Sequence, residues 1–334
     1  MSRSAVRTRA VALLIIETDM KKNIKLKIII ILLLMPIIIK ADGWGSTGFD
    51  FLCIDIGARP ASMAGAFCAT RGDINGLVYN VAGIVGIKNK FATFTFLDYL
   101  VDVKSGLVGF TQSMGDRGVF ALAAIYTNYG KFQKTDIYGN DLGSFFPGNI
   151  AISAGYADTT SIGLSYGIAI KYLQFSIDKY TSMAAALSAG VIYRIKSQDL
   201  NIGFSINNLG HTIKPFINRY EKLPISYRLG LSKRLAHLPL LVNLDVIKYH
   251  FTSSRILWGL YWSLGGEFTI TKNIFLRLGY TSQGSEEREE NSNFSLAGFR
   301  LGLGIKYKKY TIDYGFGSLG MLGNMNHFTL SVEF

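Results

Sequence analysis

From residue 91 onward, large apolar side chains alternate with small or polar ones. That period of two marks strands whose faces meet different surroundings. In 161–172, Ile162, Leu164, Tyr166, Ile168, Ile170 and Tyr172 share one face, and Gly163, Ser165, Gly167, Ala169 and Lys171 the other. The split recurs at Leu200, Ile202, Phe204 and Ile206, at Ile225, Tyr227, Leu229 and Leu231, and at Phe299, Leu301, Leu303, Ile305 and Tyr307. The pattern predicts fourteen strands near 91–102, 105–114, 117–130, 148–158, 161–176, 182–195, 199–207, 225–235, 238–248, 256–270, 273–282, 293–307, 309–318 and 325–334.

The two faces say what surrounds them. A solvated sheet surface would be rich in charge, yet the polar faces here are mostly Gly, Ser and Ala. Small residues suit a face packed against something or a crowded barrel interior. Large aliphatics bracketed by Tyr and Phe suit a lipid-facing band with aromatic girdles. The reading is an all-β, 14-stranded antiparallel transmembrane β-barrel, with a soluble sandwich or propeller as the alternative. Connections agree: those around Gly115, Thr159, Ser197, His237, Lys272 and Lys308 are short, whereas 131–147, 208–224, 249–255 and 283–292 are longer. The turn near Val103 departs from that alternation. An even strand number and alternating short and long connections fit an outer-membrane barrel. The last strand ends on Phe334, a terminus suited to recognition by the barrel-assembly machinery.

Composition narrows the class further. Of the 334 residues, 17% are charged and 13% aromatic, with 36 glycines, which speaks against helices and against disorder. Two cysteines and four scattered histidines leave no set for a metal, and no cofactor is expected.

The amino terminus reads as an address. Lys21, Lys22, Lys25 and Lys27 precede an apolar run from Ile28 to Ile39, followed by Lys40-Ala41-Asp42. This is the pattern of a secretory signal peptide over 20–41; a membrane-spanning helix would need roughly 20 apolar residues. Residues 1–19 then read as an over-extended start. Removing 1–41 takes away eight Lys/Arg and two Asp/Glu, lowering the formal charge from +12 to +6. The remaining cations form no basic patch with interleaved aromatics, so nucleic acid is not an expected partner.

Residues 42–90 do not alternate. Phe51-Leu52-Cys53-Ile54-Asp55-Ile56-Gly57-Ala58-Arg59 leads into Met63-Ala64-Gly65-Ala66, and Asp73 and Asn80-Val81-Ala82-Gly83 follow. Small residues here allow close backbone packing, as a segment filling a lumen needs. The stretch resembles the PorV/PorQ family of FadL-like outer-membrane barrels at Phe51, Leu52, Ile54, Gly57, Ala58, Arg59, Met63, Gly65, Ala66, Asp73, Asn80, Ala82 and Gly83. Val81 stands where the family usually has Pro, and Ala64 where it often has Gly. The resemblance implies a bacterial outer-membrane location among lipid, an N-terminal hatch over 42–90 and a barrel over 91–334. It also implies passage of hydrophobic small molecules such as fatty acids. Some members instead serve type IX protein secretion, which would make secretion-system proteins the partners.

Candidate site residues follow. Arg277 and Arg300 lie mid-strand on the inward face, where a guanidinium either grips a ligand carboxylate or pairs with Asp50, Asp55, Asp73 or Glu267. In the first case an acyl tail would lie against Phe275 or Tyr261. Arg194, Arg228, Lys171 and Lys306 also point inward. Arg59 either gates the lumen or clamps the hatch, and Asn80 turns the chain toward the first strand. A Cys53–Cys68 disulfide is left open by their spacing. His211 and His250 fall in long connections near Asn207, Asn208, Ser253 and Ser254 without forming a catalytic set, so no enzyme is expected.

Overall fold

The computed structural model describes residues 48–217, 220–250, 260–285 and 296–334. The expected over-extended start (1–19) and expected signal peptide (20–41), Ser253-Ser254 and most of the acidic 283–292 connection lie outside the described residues. Among the described residues, sixteen strands follow the order β1 (Phe91–Asp98), β2 (Lys104–Ser113), β3 (Val119–Asn128), β4 (Phe132–Thr135), β5 (Asp141–Phe145), β6 (Gly148–Thr159), β7 (Leu164–Ile177) and β8 (Tyr180–Ile195). The rest are β9 (Leu200–Lys214), β10 (Ser226–Arg234), β11 (Leu240–Tyr249), β12 (Leu260–Thr271), β13 (Ile274–Thr281), β14 (Phe299–Tyr307), β15 (Tyr310–Ser318) and β16 (Asn324–Glu333).

Fourteen of them form a closed antiparallel barrel. β1 pairs with β2 on one side and β16 on the other, with Phe91 opposite both Thr111 and Glu333, so the sheet has no free edge. The alternation decides which face is which. Outward side chains such as Phe94, Ile168, Ile170, Leu278 and Ile312 are more than half exposed, whereas the intervening Thr95, Ala169 and Arg277 are buried. Tyr126, Tyr166, Tyr172, Tyr307 and Tyr310 stand among the exposed outward residues. An outward apolar surface of this kind is the counterpart of a lipid bilayer.

Two features depart from the strand pattern read in the sequence. The 131–147 connection folds into its own two-stranded hairpin, β4–β5, where Phe132 stacks on Phe145 with ring centroids 5.8 Å apart. β9 also continues past residue 207 to Lys214, which carries His211 out of the connection and onto a strand. A bulge permits this: Leu187 pairs with Leu209 and Ala189 with Ile206, leaving Ser188 opposite two residues. Asn208 takes the left-handed conformation there (φ 61°), as an Asn tolerates, and the outward phase shifts from Ile206 to Leu209.

Residues 48–90 run inside this wall. Short helical turns cover Asp50–Cys53, α1 (Ala58–Ser62), α2 (Gly76–Tyr79) and Val81–Ile84. Ala58, Met63, Cys68, Tyr79, Asn80 and Ala82 are fully buried. The inward glycines exist for this contact. A Cβ on Gly167 would sit 2.7 Å from the backbone of Val81 and Ala82, and one on Gly265 would lie 2.6 Å from Met63 Cβ. Backbone cannot retreat as a flexible side chain can, so these positions admit glycine alone. Gly57 (φ 91°) and Gly65 (φ 73°) serve the turns on either side of α1, where L residues are strained. Both cysteines are free: Cys53 packs beside Ile247, Tyr249 and Tyr261, and Cys68 lies against Ser205.

Candidate functional site

The candidate region is the interface between the luminal segment and the wall, and it is built chiefly from polar wall residues meeting segment backbone. Asp245 on β11 accepts from the amides of Phe67 and Cys68 at 2.9 and 2.8 Å. Asn243, two residues earlier on the same inward face, donates to the Ala66 carbonyl and to Thr70 Oγ1, both at 2.8 Å. On β9, Ser205 and Asn207 donate to the Tyr79 carbonyl at 2.7 and 3.0 Å. On β16, Thr329 Oγ1 accepts from the Ala58 amide at 2.9 Å, and His327 Nε2 lies 2.9 Å from the Asp55 carbonyl. Arg228 donates to the Gly65 carbonyl and lies over the Tyr79 ring, 5.0 Å from its centroid. Most of these bonds satisfy a backbone group that burial would otherwise strand.

Asn80 works from the segment outward. Its Nδ2 donates to the Cys68 carbonyl at 2.7 Å and reaches the Val191 carbonyl, while its Oδ1 accepts from the Ala82 amide. It therefore caps the Val81–Ile84 turn.

Ions cluster toward the end with the short turns. Arg59 meets Glu267 through two 2.8 Å bonds and Asp73 at 3.0 Å. Glu267 also accepts from Arg277 at 2.8 Å, and Arg277 reaches Asp313 at 2.6 Å. Burial works against the Arg59 charge, but Glu267 and Asp73 outweigh it and push its pKa up. Asp73 further accepts from the Asn75 amide, so one carboxylate both clamps Arg59 and starts α2.

Arg277, Arg300, Phe275 and Tyr261 are not brought together as one acyl-chain site. The guanidinium of Arg277 is occupied by Glu267 and Asp313, which is the pairing alternative for that residue. Arg300 donates to the Ser318 and Phe299 carbonyls, closer to the long-loop end. Phe275 borders a cavity of about 330 Å3 with Arg277, its ring 5.8 Å from the guanidinium carbon. Tyr261 lies at the far end of its strand pair, buried with Tyr249 and Ile247. Ala58, Met63, Gly65, Ala82 and Gly83 are buried in the luminal segment, and Gly83 abuts the Thr70 carbonyl.

A different apolar space lies nearer the long loops. Phe51, Leu52, Ile54, Ile56, Leu77 and Val78 of the segment face Ala123, Ile125 and Ala151 of the wall around a cavity of about 20 Å3. Its charged member is Lys171, whose Nζ donates to Asn208 Oδ1 at 2.9 Å. Sequence reasoning placed Lys171 inward without giving it this role. The available signal was the lone cation among the small inward residues of β7. Asp245 was missed as well, although an acid in mid-strand on an inward face marks a bonded position.

No family model and no curated protein matches the sequence. Solved structures do. The Ralstonia pickettii toluene transporter TbuX superposes with a TM-score of 0.55 at 12% identity, covering 84% of this chain and 98% of that one. The Pseudomonas putida toluene transporter TodX gives 0.54 at 11% identity, covering 88% and 97%. A Pseudomonas aeruginosa FadL homologue gives 0.50 at 11%, covering 83% and 97%. The barrel is FadL-like in fold.

Proposed function

We propose that this chain is an outer-membrane barrel that passes hydrophobic small molecules, with residues 48–90 acting as its hatch. The observation that carries the reading is the space between the Phe51–Ile56 stretch and the wall: nine of its twelve lining residues are apolar, and Ser105, Ser153 and Lys171 supply the polar groups. Such a lining receives an aliphatic or aromatic body, and Lys171 is placed to orient a carboxylate. The FadL-like fold and the outward apolar band support it, as do the neighbours described as toluene transporters.

The present volume of about 20 Å3 admits little more than one water. Passage therefore requires the Asp50–Cys53 turn to withdraw from Ile125 and Ala151. Phe51 of that turn packs with Leu173, Ala184 and Leu223, while ions and hydrogen bonds tie α1 and α2. The PorV/PorQ grouping within FadL-like barrels rests on residues 51–83, and no observation favours a secretion role.

The test is uptake of labelled oleate and labelled toluene by cells that lack their own hydrophobic-compound channel and express this chain. Uptake above vector controls is expected for at least one of them. Equal uptake with and without a correctly folded barrel would refute the reading.

A further inference from the structure

A second large cavity lies at the mouth formed by the short turns, and its charge is one-sided. It measures about 400 Å3 and is bordered by Arg71, Lys88, Arg194 and Arg234, with Asp199 as their acid. Arg59 borders it too, but Glu267 and Asp73 already engage that guanidinium. Asp199 lies 3.2 Å from Arg194 and 4.0 Å from Arg234, so one carboxylate is shared by two guanidinium groups.

Arg71 is the informative residue. It is half-buried, its Nη2 donates to the neutral Thr159 Oγ1 at 3.3 Å, and it meets no carboxylate among the described residues. Its Nε has no partner. Burial and the nearby Arg194 push its pKa down, the mark of a cation lacking compensation. Nothing in the wall requires arginine here, since a threonine hydroxyl is served as well by a neutral donor. Asp199 serves Arg194 and Arg234 but does not pair with Arg71, so positive charge is left over at this cavity, and the planar guanidinium forks match a carboxylate or phosphate.

We propose that this cavity binds a single oxyanion group, carboxylate or phosphate, through Arg71 and Arg194, with Arg234 at its rim. The group belongs either to a free small anion or to the head of an amphiphile arriving at this mouth. The site is independent of the passage reading: anion binding governed by Arg71 would stand even if no hydrocarbon crossed.

Isothermal titration of the folded barrel in uncharged detergent at low salt, with sodium phosphate and separately with sodium octanoate, tests it. Saturable one-to-one binding is expected, weakened at least tenfold in Arg71→Gln and in Arg194→Gln and unchanged in Lys308→Gln. Heat-modifiable migration on gels confirms that each variant keeps its barrel. Comparable affinities for the two probes identify a free anion, and much tighter octanoate binding identifies an amphiphile head. No saturable heat with either probe, or affinities untouched by both arginine substitutions, would overturn the proposal.

Discussion

Arg59 and Glu267, 208 residues apart in the chain, face each other fork to fork: Nε to Oε2 and Nη2 to Oε1, each at 2.8 Å. The pair joins α1 of the luminal segment to β12. Through Arg277 and Asp313 it extends to β13 and β15, and through Asp73 it returns to the segment. An ion pair this buried is maintained only while every member keeps its partner.

Arg59→Ala is therefore expected to loosen the segment and leave the barrel intact. Glu267 keeps Arg277, so the loss falls on the segment side and amounts to roughly 3 kcal/mol. Greater sensitivity of expressing cells to large antibiotics, with unchanged heat-modifiable migration, is the expected outcome. Unchanged permeability would show that Arg59 is dispensable to closure.

Asp245→Asn removes the charge that two segment amides share. Charge-assisted bonds contribute about 1.5–3 kcal/mol each. Hydrogen exchange across residues 64–70 is expected to accelerate at least tenfold while the strands exchange as before. Uniform acceleration throughout the barrel would mean that Asp245 supports the wall instead.

Gly167→Val places side-chain atoms against the backbone of Val81 and Ala82. Overpacking of this kind costs about 1–3 kcal/mol, and the segment is the part free to move. Limited proteolysis should then cut within 48–90 in the variant and spare the native chain. A Gly115→Val control meets nothing within 4 Å, though its φ of 65° adds local strain in an exposed turn.

Lys171→Met keeps the length of the side chain and removes the ammonium beside the apolar cavity. Oleate uptake is expected to fall about tenfold, the effect of losing one charge-assisted bond, and toluene uptake to stay as it was. Equal losses for both would place Lys171 in the structure of the wall, through its bond to Asn208.

Why the strands were legible and the site was not comes down to the range of the interactions. Ile168 and Ile170 face outward and Ala169 inward, and each assignment is written in the residue itself and its immediate neighbours. The same logic failed at Asn208, where one inserted residue reversed the phase and made Leu209 and Ile213 look like a loop. It failed again at β4–β5, whose short strands are exposed on both faces and so carry no alternation. Arg277 could be seen to point inward, but Glu267 and Asp313 as its two partners depend on strand register. Asp245 meets Phe67 across 178 residues, a separation at which the chain gives no local sign of contact.

The central claim, a hatch-closed barrel for hydrophobic molecules, is tested most directly by mass spectrometry of what remains bound to the barrel isolated from native outer membranes. The account expects a hydrophobic molecule near one per barrel, retained by the native protein and lost when Leu52→Asp makes the cavity wall polar. An empty barrel carrying stoichiometric large secreted proteins would contradict it.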